Sequence, residues 1–360
     1  MNIRQIKEMS VKKIAKTASL IKDALPYITY NGKYTDESNN PAWWTNSFWA
    51  GILWQMYDIT GDSVLADYAI SCEKKLEKAL YEYEKNDHDL GFLWLLSGVE
   101  HFEHFKDKKA RNDALLAASV LSSRYDLDAK VIRAWNDRGY EGVAIIDCMM
   151  NLPLLYWASK EEDDERFKKV AMSHADSVIK NFVRDNGSVC HIVKLDTKTG
   201  EKLEEFGGQG YRQGSSWTRG QGWAIYGFIQ SYQWTGEQRY LETAKKVADY
   251  FIQEAKKIDY KIKCDFCQPE DDILYDSSAA AIASCGMIEI YKETGEEKYL
   301  KEAEKLILVT SENFCPWDDE NDQALVDFGS ESFTKHEHVA LIYGDYYFLR
   351  AVCELDKILN

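Results

Sequence analysis

Six short segments of this 360-residue chain share one form: aromatic, acidic or cationic residues that precede or open an apolar run. They are Trp44-Thr45-Asn46-Ser47-Phe48-Trp49, His88-Asp89-Leu90-Gly91-Phe92, Ile146-Asp147-Cys148, Trp217 to Trp223, Asp276-Ser277-Ser278 and His336-Glu337-His338. Their separation is roughly 60 residues, a period in the range of helical repeat arrays. Several runs close on one phrase, Thr60-Gly61-Asp62, Thr235-Gly236-Glu237 and Thr294-Gly295-Glu296, and an amphipathic helix such as Arg239 through Phe251 follows. Each unit therefore reads as an inner helix, a Gly-bearing turn and an outer helix. The inner set (Ala224, Ile225, Phe228, Ile229; Ala280, Ile282, Ala283, Met287, Ile290) lacks a polar side, as helices covered all round do. The outer set places Lys245, Lys246 and Asp249 against Ala244, Val247, Ala248 and Phe251.

About six such hairpins, with no strand-rich half, predict an all-α fold closed into an (α/α)6 barrel, because closure buries the two end faces that an open solenoid leaves bare. Inner helices that all run the same way bring their N-terminal ends to one mouth. There, free backbone N–H groups and positive helix ends favour anions. Length alone allows two domains. With only 5 Pro and no low-complexity interruption, a single barrel domain over residues 1–360 is the expectation.

The segment Met1 to Leu25 reads as an amphipathic, Lys-bearing helix without the apolar core of a signal peptide, and no later stretch is long and uncharged enough to span a bilayer. Eight Cys are scattered, several inside helices (Cys72, Cys148, Cys285, Cys353), which is the habit of reduced, buried thiols. A cytoplasmic protein is expected. Cys264 and Cys267 form a CxxC, but one pair without a second does not make a zinc site, and no metal is expected. A net charge of -16 without basic runs excludes nucleic acid and membrane surfaces as partners. It also opposes polyanions at long range, so an anionic ligand has to be small and met by local cations.

Aromatic residues make up 13% of the chain, and Trp43, Trp44, Trp49, Trp94, Trp135, Trp217 and Trp223 gather near the inner-helix starts. Any one indole is ordinarily core; at a single mouth, Trp44 and Trp223 become candidates for stacking on a sugar ring. Asp147 follows Val143-Ala144-Ile145-Ile146 in an apolar run where a charge is costly unless paired, and it lies after the helix is expected to have begun. Asp89 and Asp276 read individually as N-caps. Two carboxylates in a dry, aromatic mouth suit proton transfer to a sugar: burial and a like charge raise one pKa while the other group stays ionised. His88, His191 and Arg219 add donors for a carboxylate ligand. His336 and His338 are expected at a helix start or in the core. No Ser-His-Asp order, nucleotide-binding Gly loop or HExxH is present.

Taken together, His88-Asp89-Leu90-Gly91-Phe92, Ile146-Asp147, Gln209-Gly210-Tyr211, Trp217-x-Arg219-Gly220-Gln221-x-Trp223-Ala224-x-Tyr226-Gly227 and Asp276-Ser277-Ser278-Ala279-Ala280 resemble the unsaturated glucuronyl hydrolases of glycoside hydrolase family 88, from about Trp44 to the last helix. The resemblance implies an (α/α)6 barrel that needs no cofactor. It would remove a 4,5-unsaturated uronic acid from the non-reducing end of lyase-generated glycosaminoglycan oligosaccharides, its partners being unsaturated di- or oligosaccharides. By that pattern Asp147 protonates C4 of the enol ether and then activates water for attack at C5, and the hemiketal opens to release the aglycone. Asp89 matches a second essential carboxylate near the sugar hydroxyls. Trp44, His88, Trp135, His191, Gln209, Arg219 and Trp223 match positions that hold the uronate.

Two departures bear on substrate. Arg219-Gly220-Gln221-Gly222-Trp223 is intermediate between the glucuronyl pattern, which carries Ala at the position of Gly222, and the Arg-Gly-Asn-Gly-Trp of rhamnogalacturonyl hydrolases acting on pectin fragments. Gln221 and the His88-Asp89 pair favour the glucuronyl branch. Members acting on sulfated fragments carry Ser-x-x-Ser-x-Lys; here Ser330 and Lys335 remain, but Phe333 replaces the second Ser. Ser330, Lys335 and Arg212 are thus candidate contacts for a sulfate or the aglycone. A barrel that only binds sugar, or an epimerase using His pairs, are the readings from other classes. Oligomeric state is not legible.

Overall fold

Outer and inner helices alternate along the chain in the computed structural model, which describes residues 1–360. Helix α1 (Ile3–Ile21) lies outside, α2 (Phe48–Thr60) inside and α3 (Ser63–Leu76) outside. The next inner rod is α4 (Leu90–Trp94), a π-helical segment (Leu95–Val99) and α5 (Glu100–Phe105), end to end. Then come α6 (Lys108–Ser123), inner α7 (Leu152–Glu162), α8 (Glu165–Phe182), inner α9 (Thr218–Thr235), α10 (Gln238–Lys257), inner α11 (Ser277–Thr294), α12 (Glu297–Phe314) and inner α13 (Ile342–Leu359). Each inner helix packs on the next and α13 packs back on α2, so the ring closes; every outer helix lies against its inner neighbour, with α1 on α13. This is the (α/α)6 barrel that the repeat implies.

The apolar pattern dictates this layering. Helix α9 is buried along nearly its whole length, from Thr218 through Ile229, whereas α10 buries Tyr240, Leu241, Ala244, Val247, Ala248 and Phe251 and leaves its Lys-rich face in water. One apolar core runs from Ile3 to Leu355. The recurring Thr-Gly-acid phrase is an inner-to-outer turn. Gly61, Gly236 and Gly295 cap α2, α9 and α11 with φ of 70°, 72° and 70°, a left-handed conformation that costs glycine nothing. The preceding Thr hydroxyl accepts the N–H of the following acid at 3.2 Å in all three turns.

Those turns are short, and the spare chain lies in the outer-to-inner connections. There β1 (Pro26–Tyr30) pairs with β2 (Lys33–Asp36), and β3 (Tyr125–Asp126) with β4 (Val131–Ile132). A three-stranded antiparallel sheet is ordered β5 (Val143–Ile145), β6 (Ile192–Leu195), β7 (Lys202–Phe206). Length is thereby concentrated at the mouth ringed by inner-helix N-termini. Two expected helix starts move. Asp147 lies in a 3-10 turn, Ile146–Met150, between β5 and α7, so it precedes the helix. Helix α13 begins at Ile342, leaving His336 and His338 in an exposed loop; His336 has φ of 50°, and His338 Nε2 accepts the Tyr275 N–H at 2.9 Å. No helix is long and apolar enough to cross a membrane.

Candidate functional site

The turn carrying Asp147 is held by the sheet. Strand β5 pairs Ile145 with Ile192 of β6, and the Ile146 N–H donates to the His191 carbonyl at 3.0 Å, so residues 147 and 191 are brought side by side. His191 Nε2 lies 3.6 Å from Asp147 Oδ2. The Gln209 N–H points at His191 Nδ1 at 3.0 Å, and a backbone amide can only donate. A neutral His191 ring therefore carries its hydrogen on Nε2, facing Asp147. Across the mouth, Asp89 occupies the N-cap position of α4 but makes no capping bond. Its Oδ1 instead accepts the Asn151 Nδ2–H at 3.0 Å, and the fully buried His88 ring sits with Nε2 3.6 Å from Asp89 Oδ2. The reading of Asp89 as a cap is thereby replaced. Asp276 does cap α11, through the Ser278 N–H at 3.2 Å.

Both carboxylates are only 13% exposed at the side chain, and their environments drive them apart. Burial and the charge of Asp147 push Asp89 up to about 7, against the lowering effect of the Asn151 donor. Burial would raise Asp147 as well, but His191, His88 and Arg219 outweigh it and hold Asp147 below the usual carboxylate range. The two shifts thus run in opposite directions, Asp89 upward and Asp147 downward, as expected for a pair that does acid–base work and shares a proton. Burial lowers the pKa of His88. Asp87, whose carboxylate accepts the Asp89 N–H at 2.8 Å, is also pushed up to about 7, by burial and then by Asp89.

Aromatic residues form the walls. Trp44 is half-buried, its ring centroid 4.9 Å from Tyr343 and 5.5 Å from Phe92, and Trp217 packs on His191 at 4.1 Å. Trp135 is half-buried and edge-on to Tyr140 at 5.1 Å. Trp223 is 0% exposed and packed against Phe92, Tyr343 and Tyr347, and its buried Nε1–H has no protein partner. Trp49 and Trp94 are core.

Arg219 is not a free cation. It is 1% exposed, ion-paired with the wholly buried Asp276, and donates to the Ser330 carbonyl at 2.6 Å and the Glu331 carbonyl at 2.8 Å. Its guanidinium lies over Trp217 at 4.6 Å and Tyr343 at 5.4 Å. Burial alone would disfavour its charge, but Asp276 together with Tyr343, Cys264 and Asp147 outweighs that and favours the charged form. Gln209, half-buried, touches it at 3.5 Å.

The peripheral anion candidates do not form a site. Ser330 is fully buried, with its hydroxyl turned to the Ser332 carbonyl at 3.2 Å. Lys335 is paired with Glu331 at 2.7 Å. Arg212 is an exposed loop residue over the Tyr211 ring. Cys264 is buried and Cys267 exposed. Two positioning groups escape sequence reasoning. Asn151, whose side chain donates to Asp89, belongs to no motif in the sequence. Asp265, 0% exposed, accepts the Tyr211 and Ser216 N–H groups and the Ser215 hydroxyl, at 3.0, 3.1 and 2.6 Å, and so pins the loop that carries Gln209 to the start of α9.

Comparison with known proteins agrees with this geometry. Residues 20–230 match the model of Glycosyl Hydrolase Family 88, and residues 211–331 also match that of the Beta-L-arabinofuranosidase GH127 catalytic domain. The chain is 34% identical over 350 residues to an unsaturated glucuronyl hydrolase of Bacillus sp. (strain GL1), covering 93% of this chain and 92% of that protein. It is 29% identical to an unsaturated chondroitin disaccharide hydrolase of Streptococcus pyogenes serotype M1, covering 100% and 92%. The solved structure of a Bacillus sp. GL1 unsaturated glucuronyl hydrolase, described as responsible for glycosaminoglycan degradation, superposes with a TM-score of 0.93 at 33% identity, over 99% of this chain and 97% of that one. An unsaturated glucuronyl hydrolase specific for heparin gives 0.91 at 27% identity, over 99% and 97%. A closed barrel of matching extent, with its carboxylate pair at the mouth, and identity along almost the entire length place this chain in glycoside hydrolase family 88.

Proposed function

We propose that this glycoside hydrolase is an unsaturated glucuronyl hydrolase, and that the whole chain forms one catalytic barrel releasing 4,5-unsaturated uronic acid from glycosaminoglycan-derived oligosaccharides. The observation that carries the reading is the buried Asp89–Asp147 pair, linked through Asn151 and flanked by His88 and His191. Similarity to proteins named for this activity and for chondroitin disaccharide hydrolysis supports it.

In this mechanism the substrate brings its own carboxylate. The uronate carboxylate adds negative charge beside the pair and raises the proton affinity of Asp147, so that Asp147 takes up the proton held by the pair and delivers it to C4 of the enol ether. Asp147, again ionised, takes a proton from water as its oxygen bonds to C5. The hemiketal formed at C5 opens, and the aglycone leaves from C1. Asp89 holds sugar hydroxyls, Trp44 and Trp135 supply flat apolar contact, and His88, His191 and Gln209 supply polar contacts. Arg219 acts through the lining it braces. A cytoplasmic setting belongs to the same reading, supported by the burial of six of the eight cysteines as packed thiols.

The test is a panel of lyase-derived disaccharides followed by ultraviolet loss of the C4=C5 chromophore. Chondroitin-, hyaluronan- or heparin-derived substrates are expected to be consumed, and turnover in D₂O is expected to place deuterium at C4. Consumption of pectin-derived disaccharides alone would move the enzyme to the rhamnogalacturonyl branch. Release of sugar without label at C4 would reject hydration in favour of displacement at C1.

A further inference from the structure

Asn151 lies between the turn that carries Asp147 and the first turn of α7, wholly shielded from water. It holds the N-cap position of α7, where Asn is among the best residues for satisfying free helix N–H groups, yet it makes no capping bond. Its side chain is directed elsewhere. Oδ1 accepts the Phe92 N–H of α4 at 2.7 Å, and since that amide can only donate, the amide orientation follows: Nδ2 must face the other way. From there Nδ2 donates to Asp89 Oδ1 at 3.0 Å and lies 3.4 Å from the Asp147 carbonyl. A single buried amide thus joins the helix start bearing one carboxylate to the turn bearing the other.

The backbone is built for this contact. A Cβ at Gly91 would stand 2.4 Å from Asn151 Cα and 2.6 Å from both its Cβ and its carbonyl oxygen, so only glycine lets α4 come this close. Asp89, Gly91 and Phe92 from one side, and Asp147 and Asn151 from the other, form a single unit. We infer that Asn151 is a positioning residue that sets the separation of Asp89 and Asp147 and favours the ionised form of Asp89.

The catalytic consequence rests on the proposed hydration reaction, while the electrostatic one does not. With donors aimed at Asp89, its carboxylate is stabilised; the side-chain NH₂ resonances of Asn151 in the wild-type protein should therefore shift in step with the Asp89 titration. In Asn151→Ser the midpoint of Asp89, followed by ¹³C-carboxyl NMR, should rise by about one unit. Asn151→Asp keeps the shape and the acceptor for Phe92 but replaces donors with a carboxylate, and should raise it further. Both variants should lower kcat by about tenfold or more with little change in KM, as expected for a misplaced reacting group. Wild-type Asn151 resonances that stay flat across the Asp89 titration would overturn the inference, whether or not the variants fold. So would folded variants in which Asp89 titrates as in wild type. Failure of the wild-type enzyme on every unsaturated disaccharide would sink the proposed reaction and leave these NMR outcomes to be read independently.

Discussion

Replacing Arg219 should reveal a residue whose first duty is to neutralise a buried charge. Its guanidinium and the Asp276 carboxylate are 1% and 0% exposed, so neither is screened by water, and two carbonyls, of Ser330 and Glu331, take their donors from the same group. In Arg219→Met the stem still covers Trp217, but Asp276 loses its counter-charge and keeps only the Ser278 hydroxyl and N–H. Stranding one member of a buried pair costs about 3–5 kcal/mol, and each orphaned carbonyl adds about 1 kcal/mol or more. A loss of about 5–7 kcal/mol in urea unfolding at neutral pH is therefore expected, and Asp276→Asn should also be strongly destabilised, because it leaves the Arg219 charge buried without its partner. The double variant should recover part of this, with a coupling of about 2 kcal/mol or more. Arg219→Lys, which keeps the charge but not the planar fork, should fall between wild type and Met in stability and in kcat/KM. An Arg219→Met protein destabilised by less than about 1 kcal/mol, or single effects that simply add, would refute the pairing and return Arg219 to the role of a substrate-facing cation.

Asp147→Asn, nearly isosteric but unable to give and recover a proton, should lower kcat by at least ~10²-fold with modest change in binding, and near-normal turnover of unsaturated disaccharide would remove Asp147 from the chemistry. Asp89 binds its proton more tightly folded than unfolded, so the stability it lends is complete below its ordinary value near 3.8 and is lost as pH rises through about 7. Asp89→Asn should thus match wild type near pH 4 and exceed it by about 1–3 kcal/mol at pH 8, as read from unfolding midpoints; a difference independent of pH would contradict the raised pKa. Gly91→Ala should destabilise the protein by about 1–3 kcal/mol and abolish most activity, because its Cβ would meet the Asn151 backbone at 2.4 Å, and a neutral outcome would show that the two elements separate without consequence.

Local chemistry made the helices legible. Apolar residues on all sides of α9 and α11 and on one side of α10 require the two layers, and the Thr-Gly-acid phrase marks where an inner helix must stop, because its glycine alone takes the left-handed cap without strain. Asp147 stood out for the same reason: an acid inside an apolar run needs a partner. Convergence of the inner-helix entries on one mouth brought Asp89 and Asp147 together as a pair, and the resemblance supplied the role of each.

Which side chains find partners within the protein was decided only by the tertiary structure. Arg219 and Trp223 open a helix at the mouth and read as substrate contacts, yet chain far away in sequence, at Asp276, Ser330 and Glu331 for one and Phe92, Tyr343 and Tyr347 for the other, closes around them. Asn151 is the opposite case: outside every motif in the sequence, yet bonded to Asp89 where Gly91 lets α4 approach it. The opposite directions in which the two carboxylates are shifted are of the same kind. Periodicity is a property of neighbours along the chain and can be read there, whereas burial, hydrogen-bond direction and pKa depend on what arrives from elsewhere, so His191 lowers Asp147 and Asp147 raises Asp89 only once the barrel has closed.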